Sequence, residues 1–264
     1  LFNHLKKKFI TIRTYNKNYS KYLVKFSFNN KNEKNKILKQ ISCEDIVIIL
    51  SAETNVRWVH QNPKKSYQIN TLLTNNFISD LIKKKTRIIY ISSAEVFNGR
   101  KGFYNESSKP NPVNVYGKTK YAVEKYLGRS KYRNYHIIRT GRNVNMSDKF
   151  RCMVKDTYIT LLGKDPKMAS DNLFTITHMK DFNKSIEKLI RKKTKEKVFH
   201  LCSSEVLSRT KFADYIIKSS KLKNLMKYKI VKFKDIGYKE PRARKNNINN
   251  KLSKKILKLK FLKS

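Results

Sequence analysis

The stretch spanning residues 87–127, RIIYISSAEVFNGRKGFYNESSKPNPVNVYGKTKYAVEKYL, decides how the rest of the chain is read. Its opening, residues 87–91, is a β-branched and aromatic run with the character of a buried strand. Ser92 and Ser93 close that run, at the point where a parallel strand delivers side chains to a cleft. A polar loop with Pro110 and Pro112 follows. Tyr116-Gly-Lys-Thr-Lys120 then leads into a helix whose apolar positions are Ala122, Val123, Tyr126 and Leu127. Tyr116 and Lys120 stand at i and i+4 and share one helical face. An ammonium beside a phenol favours the phenolate and lowers its pKa, which makes tyrosine a usable acid near neutrality. A serine hydroxyl at the strand end could hold a reacting carbonyl oxygen. Tyr-x-x-x-Lys alone says little in a chain with 15 Tyr and abundant Lys. Strand, hydroxyl pair, proline loop and helix-borne Tyr/Lys in that order say much more.

This block resembles the extended short-chain dehydrogenase/reductase family. Within it, Asn-Pro-Val-Asn-Val-Tyr-Gly-Lys-Thr-Lys (residues 111–120) is similar to the motif of dTDP-4-dehydrorhamnose reductases and related nucleotide-sugar 4-ketoreductases. The resemblance implies an α/β fold, a Rossmann-type doubly wound parallel sheet with a smaller C-terminal substrate-binding lobe. Residues 1–140, with a return segment at about 174–202, would form the NAD(P)-binding domain, and residues 141–173 and 203–264 the substrate lobe. Tyr116 would be the proton donor, Lys120 would bind the nicotinamide ribose and tune Tyr116, and Ser93 would be the third catalytic residue, with Ser92 its neighbouring alternative. NADP(H) or NAD(H) is the implied cofactor, a nucleotide sugar the implied substrate, and a homodimer a compatible assembly.

The family begins with a strand and a Gly-rich turn that cradles the cofactor pyrophosphate. Residue 1 aligns with the helix after that turn, so an N-terminally incomplete sequence is expected. Residues 9–15 (FITIRTY) and 22–28 read as strands and residues 32–41 as a short helix. Between the two strands, where the family places an acidic residue near the adenosine ribose, stands Tyr-Asn-Lys-Asn; Lys17 could meet a 2′-phosphate, which tips the reading toward NADP(H). Residues 45–52 (DIVIILSA) read as a strand buried on both faces. By resemblance, Ser51 and Ala52 at its end lie against the nicotinamide ribose, while Glu53 departs from the usual Ala. A helix from about 65 to 85 carries Asn70, which in the relatives braces the strand beside the catalytic serine.

Further on, residues 135–139 (YHIIR) and 198–202 read as strands, and residues 150–162 and 179–192 as helices. His136 sits inside a strand pattern and reads as a packed core residue. Asp181 opens the second helix, where the dipole favours a carboxylate, and Ser208 has the character of an N-cap. By resemblance, the loop Glu240-Pro-Arg-Ala-Arg approaches the sugar-nucleotide diphosphate, with Arg242 and Arg244 as substrate ligands through bidentate guanidinium contacts. Glu95 matches the catalytic base of nucleotide-sugar 4,6-dehydratases, but Ala94 stands where their acid does. An epimerase of the same superfamily, or a non-catalytic NADP-binding subunit resembling the methionine adenosyltransferase regulatory protein, are the alternatives to a reductase.

Composition bounds these readings. The chain of 264 residues has 61 Lys and Arg against 19 Asp and Glu, a formal net charge of +42. The lysines are spread over nearly every segment instead of forming a patch with aromatics, which argues against a nucleic-acid module and for a solvated basic surface. Such a surface suits an acidic substrate. Cys43, Cys152 and Cys202 have neither metal-site nor disulfide spacing, in keeping with a reducing cytoplasm. No apolar run is long enough to span a membrane.

Overall fold

The computed structural model describes residues 1–15, 24–144, 153–220, 224 and 227–262. In chain order its elements are α1 (Phe2–Leu5), β1 (Thr14–Tyr15), β2 (Val24–Lys25), α2 (Lys31–Lys39), β3 (Ile46–Ile49), α3 (Val56–Gln61), α4 (Pro63–Tyr67), a π-helical turn (Gln68–Leu73), α5 (Thr74–Lys83), β4 (Arg87–Ser93), α6 (Val115–Arg129) and β5 (Tyr135–Thr140). There follow β6 (Arg142–Val144), α7 (Met153–Leu161), β7 (Lys167–Ala169), β8 (Leu173–Phe174), β9 (Ile176–His178), α8 (Met179–Arg191), β10 (Val198–Leu201), β11 (Leu207–Ser208), α9 (Arg209–Ser219), β12 (Lys229–Val231) and α10 (Lys251–Leu257).

The main sheet is parallel throughout, in the order β10-β5-β4-β3. Alternation along the strands divides its side chains between two cores. Ile89, Ile138, Phe199 and Leu201 face α8, whose Phe182, Ile186 and Leu189 recur at helical spacing. Ile88, Tyr90 and Ile137 face the other way, against Phe77, Ile78 and Leu81 of α5 and Val123 and Leu127 of α6. Helices on both faces make this a doubly wound α/β sheet, as the sequence implies.

Several strand expectations need correction. β3 is shorter than residues 45–52, and only Ile49 of its four residues is buried. Among the described residues it pairs with β4 alone, so an edge position replaces the expected burial on both faces. Among the described residues of 9–15 and 22–28, two in each stretch are strand. They form a separate parallel pair, β1–β2, linked to the main body by Phe26 and Phe28, whose rings lie 5.2 and 5.5 Å from that of Phe77. The expected helix at 65–85 starts earlier, at α3 and α4, and carries the π-helical turn in its middle. Lys17, Cys152 and the start of the helix expected at 150–162 lie outside the described residues.

A second, smaller lobe is built from three two-stranded pairs, β6–β9, β7–β12 and β8–β11, with α7 and α9. Its core includes Val144, Leu161, Met168, Phe174, Ile176, Leu207 and Phe212. Ser208 caps α9 by accepting from the Lys211 amide at 3.0 Å. The assignment of all of 203–264 to this lobe is corrected at its end. Leu257 and Phe261 return to the main body and pack with Leu5, Ile138, Phe182 and Phe199, and the Leu262 amide donates to Asp181 at 2.7 Å. Between the lobes, the loop after β4 is stitched to the 243–250 segment. Lys245 N donates to Gly99 O at 2.9 Å, Tyr104 N to Asn247 O at 3.1 Å and Asn249 N to Tyr104 O at 2.9 Å. At Gly99 (φ +72°) a Cβ would sit 2.5 Å from that of Ala243, so only glycine permits this approach.

Among the described residues no helix is long and apolar enough to cross a membrane. His136 and His200 are buried in the sheet. Burial, aided by Arg87 at His136 and Arg139 at His200, brings both imidazoles down to about 3. A histidine held neutral in the fold, but free to protonate when unfolded, binds fewer protons in the native state. Stability should therefore be flat above about pH 7 and fall as the pH drops through the unfolded value near 6.5, by up to about 1.4 kcal/mol per pH unit for each site. Thermal unfolding followed by circular dichroism from pH 7.5 to 5 should show this slope, and His200→Gln should reduce it. An unchanged slope in that variant would overturn the assignment.

Candidate active site

β4 ends at Ser93, whose hydroxyl accepts from the Glu95 amide at 3.2 Å and so starts the turn Ala94–Val96. Opposite it, Asn114 caps α6 by accepting from the Gly117 amide at 2.8 Å. Gly117 lets the first turn of α6 approach that turn: a Cβ there would lie 2.1 Å from the Glu95 carbonyl oxygen. The close approach brings Tyr116 to the end of β4, near enough to Ser93 for that hydroxyl to act on the phenol. The structure therefore joins Ser93, not Ser92, to Tyr116. Ser92 turns toward α6 and donates to Glu124 Oε1 at 2.5 Å.

Lys120, one turn along α6, is buried with its ammonium over the Tyr90 ring at 4.3 Å. Burial brings this ammonium down to about 7, with Glu124 opposing the fall. Burial, reinforced by the Glu95 carboxylate, pushes the Tyr116 hydroxyl well above the ordinary tyrosine range, with the Ser93 hydrogen bond opposing. The charge acting on Tyr116 is Glu95, and the Lys120 ammonium rests on Tyr90.

Glu95 itself is clamped. Its two carboxylate oxygens accept from Asn114 Nδ2 at 2.7 Å and Asn246 Nδ2 at 2.6 Å, so one carboxylate ties the catalytic turn to the C-terminal segment. Ser51 and Ala52 follow β3 on an exposed loop at the C-terminal end of the sheet, held by Asn70. The Asn70 side chain accepts from Glu53 N at 2.8 Å and donates to Glu53 O at 2.9 Å. Asn70 thus braces the loop after β3, where the sequence placed it beside the serine strand. The π-helical turn that carries it is a form often found at functional sites. Glu53 folds back on its own loop, accepting from the Asn55 amide at 3.0 Å.

Arg242 and Arg244 each already have a carboxylate partner. Arg242 is ion-paired with the buried Glu240 and stacks over Tyr238 at 4.6 Å, while Arg244 lies 3.5 Å from Asp171 and is half exposed. Two other guanidiniums converge on Phe174 of the smaller lobe. Arg142 and Arg209 lie over the Phe174 ring at 4.9 and 5.8 Å, and the buried Nε of Arg142 has no hydrogen-bond partner. Burial, then the charge of Arg209, brings Arg142 down to about 10. The sequence marked residues 140–144 as entering substrate territory, but nothing in it distinguished Arg142 from the many surface cations.

Two solved structures of similar fold are a hypothetical dTDP-4-dehydrorhamnose reductase from Sulfolobus tokodaii and a dTDP-4-dehydrorhamnose reductase from Bacillus anthracis in complex with NADP. The first has a TM-score of 0.82 at 22% identity, covering 98% of this chain and 90% of that one. The second has a TM-score of 0.76 at 22% identity, covering 90% and 82%. Curated relatives match over shorter stretches. They include an ADP-L-glycero-D-manno-heptose-6-epimerase from Brachyspira hyodysenteriae, 34% identical over 109 residues, 41% of this chain. Another is methionine adenosyltransferase 2 subunit beta from Bos taurus, 35% identical over 80 residues, 30% of this chain. The matches span only 30% and 24% of those relatives' own lengths. The RmlD substrate binding domain family matches residues 3–263, nearly the whole chain, and the protein belongs to that family.

Proposed function

We propose that the protein reduces a nucleotide-4-keto-6-deoxysugar with NADPH or NADH, with Ser93, Tyr116 and Lys120 as its catalytic residues. The observation that carries this reading is the convergence of Ser93, at the C-terminal end of β4, with Tyr116 and the buried Lys120 on the first turns of α6, brought together by the close approach at Gly117. A related fold is known with NADP. The residues present fit the nicotinamide end of such a cofactor: the loop of Ser51 and Ala52, Tyr116 and Lys120 all lie at the same end of the sheet. The chain's seven glycines include no Gly-rich strand-to-helix turn for the pyrophosphate. When bound, the cofactor supplies the hydride. Tyr116, kept protonated by its buried surroundings, gives its proton to the ketone oxygen. Ser93 donates a hydrogen bond to that oxygen and then supports the phenolate. Lys120 keeps a cation beside the site.

A dehydratase needs a free acid and base, whereas Ala94 offers neither and both oxygens of Glu95 are occupied. Arg142 and Arg209 are better placed than Arg242 and Arg244 to receive the diphosphate, because among the described residues neither of the first pair is ion-paired with a carboxylate. NADPH consumption, followed at 340 nm with a panel of dTDP-, UDP- and GDP-4-keto-6-deoxyhexoses, should give turnover with at least one member. Cofactor binding with no turnover across the panel would overturn the reductase reading in favour of a regulatory subunit.

A further inference from the structure

Below the hydroxyl pair lies a buried group that the proposed chemistry does not use. Glu124 stands one turn after Lys120 on α6, and its carboxylate has two partners. Ser92 donates to Oε1 at 2.5 Å, and Arg139 of β5 grips it in a fork, Nε to Oε1 at 3.1 Å and Nη2 to Oε2 at 2.7 Å. Glu124 and Arg139 side chains are only 4% and 5% exposed. Arg139 is fixed in turn over the Phe97 ring at 5.1 Å, and β4–β5 register sets it directly beside Ser92. A buried pair of this kind is a poor means of stabilising a fold, since well-packed apolar residues do as well or better. What it supplies here is one fixed negative charge beside Lys120 and one fixed partner for the residue before Ser93.

We propose that Glu124 is a positioning residue for the Ser93–Tyr116–Lys120 group, holding the end of β4 through Ser92 and keeping the Lys120 ammonium seated on Tyr90. The inference rests on the reductase reading for its effect on rate, but not for its effect on Lys120. The titratable and charged groups around Lys120 support it. Tyr90 contributes from β4, Tyr116 and Glu124 from α6, and Arg139 from β5 is spent on Glu124. Glu95 acts on Tyr116. The nearby α3 and α4 offer Arg57, His60, Lys64 and Lys65, all at partly or fully exposed positions. Glu124 is therefore the buried charge that favours protonated Lys120.

The test is Glu124→Gln, which keeps the shape and removes the charge, beside Glu124→Asp, which keeps the charge. Loss of the carboxylate disfavours the ammonium, so Lys120 should lose its proton at lower pH. The alkaline limb of the kcat/KM profile should then move down by at least half a pH unit in Glu124→Gln and stay near its wild-type place in Glu124→Asp, with KM little changed. The side-chain resonance of Lys120, observed in protein carrying 15N-lysine and assigned with Lys120→Met, should titrate lower by the same amount. This second readout needs no turnover, so it survives failure of the reductase reading. Should Glu124→Gln not fold, Glu124→Gln/Arg139→Gln removes both charges and should still move the Lys120 titration down, by less, because loss of the Arg139 cation offsets part of the effect. A folded variant whose Lys120 titration is unmoved overturns the proposal.

Discussion

Tyr116→Phe should lower kcat by about 10²–10⁴-fold, the range that a positioned proton donor contributes, while NADPH binding changes little. The substitution removes one oxygen. It leaves Ser93 anchored by the Glu95 amide and Lys120 on Tyr90, so the neighbouring groups keep their places. Because burial and Glu95 hold the phenol protonated far into the alkaline range, wild-type activity should not be limited by ionisation of Tyr116. The alkaline limb should instead report Lys120, whose ammonium in this structure loses its proton at about 7. Single-turnover reduction in a stopped-flow instrument, paired with cofactor titration by fluorescence, separates the chemical step from binding. Retention of more than a tenth of the wild-type rate in Tyr116→Phe would remove Tyr116 from the role of acid.

Arg139→Met should destabilise the fold by about 3–5 kcal/mol, because it leaves the Glu124 carboxylate buried with only the Ser92 hydroxyl as partner. For a chain of this size that corresponds to a fall in Tm of roughly 10 °C. Restoring neutrality should reverse most of it: Arg139→Met/Glu124→Leu replaces the pair with apolar side chains and should unfold close to the wild-type temperature. Thermal or urea unfolding of the two variants measures the difference. If the double variant is no more stable than the single one, the loss comes from packing of the Arg139 side chain on Phe97 and not from the orphaned charge. The pair also separates stability from function, since the double variant should regain its stability without regaining the Lys120 titration.

The parts of this fold that the sequence revealed are those with local causes. The β-branched runs of β4, β5 and β10 place themselves, the 3.6-residue recurrence of Phe182, Ile186 and Leu189 marks α8, and Ser208 marks a helix start through its side chain. The order of strand, hydroxyls and Tyr/Lys marks the candidate site. The rest depended on partners distant in the chain. Residues 45–52 have the composition of a central strand, but pairing on one side only leaves β3 half exposed. Arg139 reads as the polar end of a strand until Glu124 is found beside it. Arg242 was read as a ligand for the substrate diphosphate because proximity in the sequence does not reveal that Glu240 folds onto it. The end of the chain, rich in lysine, hid the contribution of Leu257 and Phe261 to the main core. Lys120 was read through its spacing from Tyr116, although its ring contact with Tyr90 decides where the charge goes.

That last part of the chain has a consequence for how the protein is made. The α8 face of the sheet is complete at Leu201, yet Leu257 and Phe261 close it. At roughly 5–20 residues per second, synthesis of the intervening stretch takes several seconds, during which Ile138, Phe182 and Phe199 lack their final cover. A nascent chain stalled or cut within that interval presents an apolar face to its neighbours.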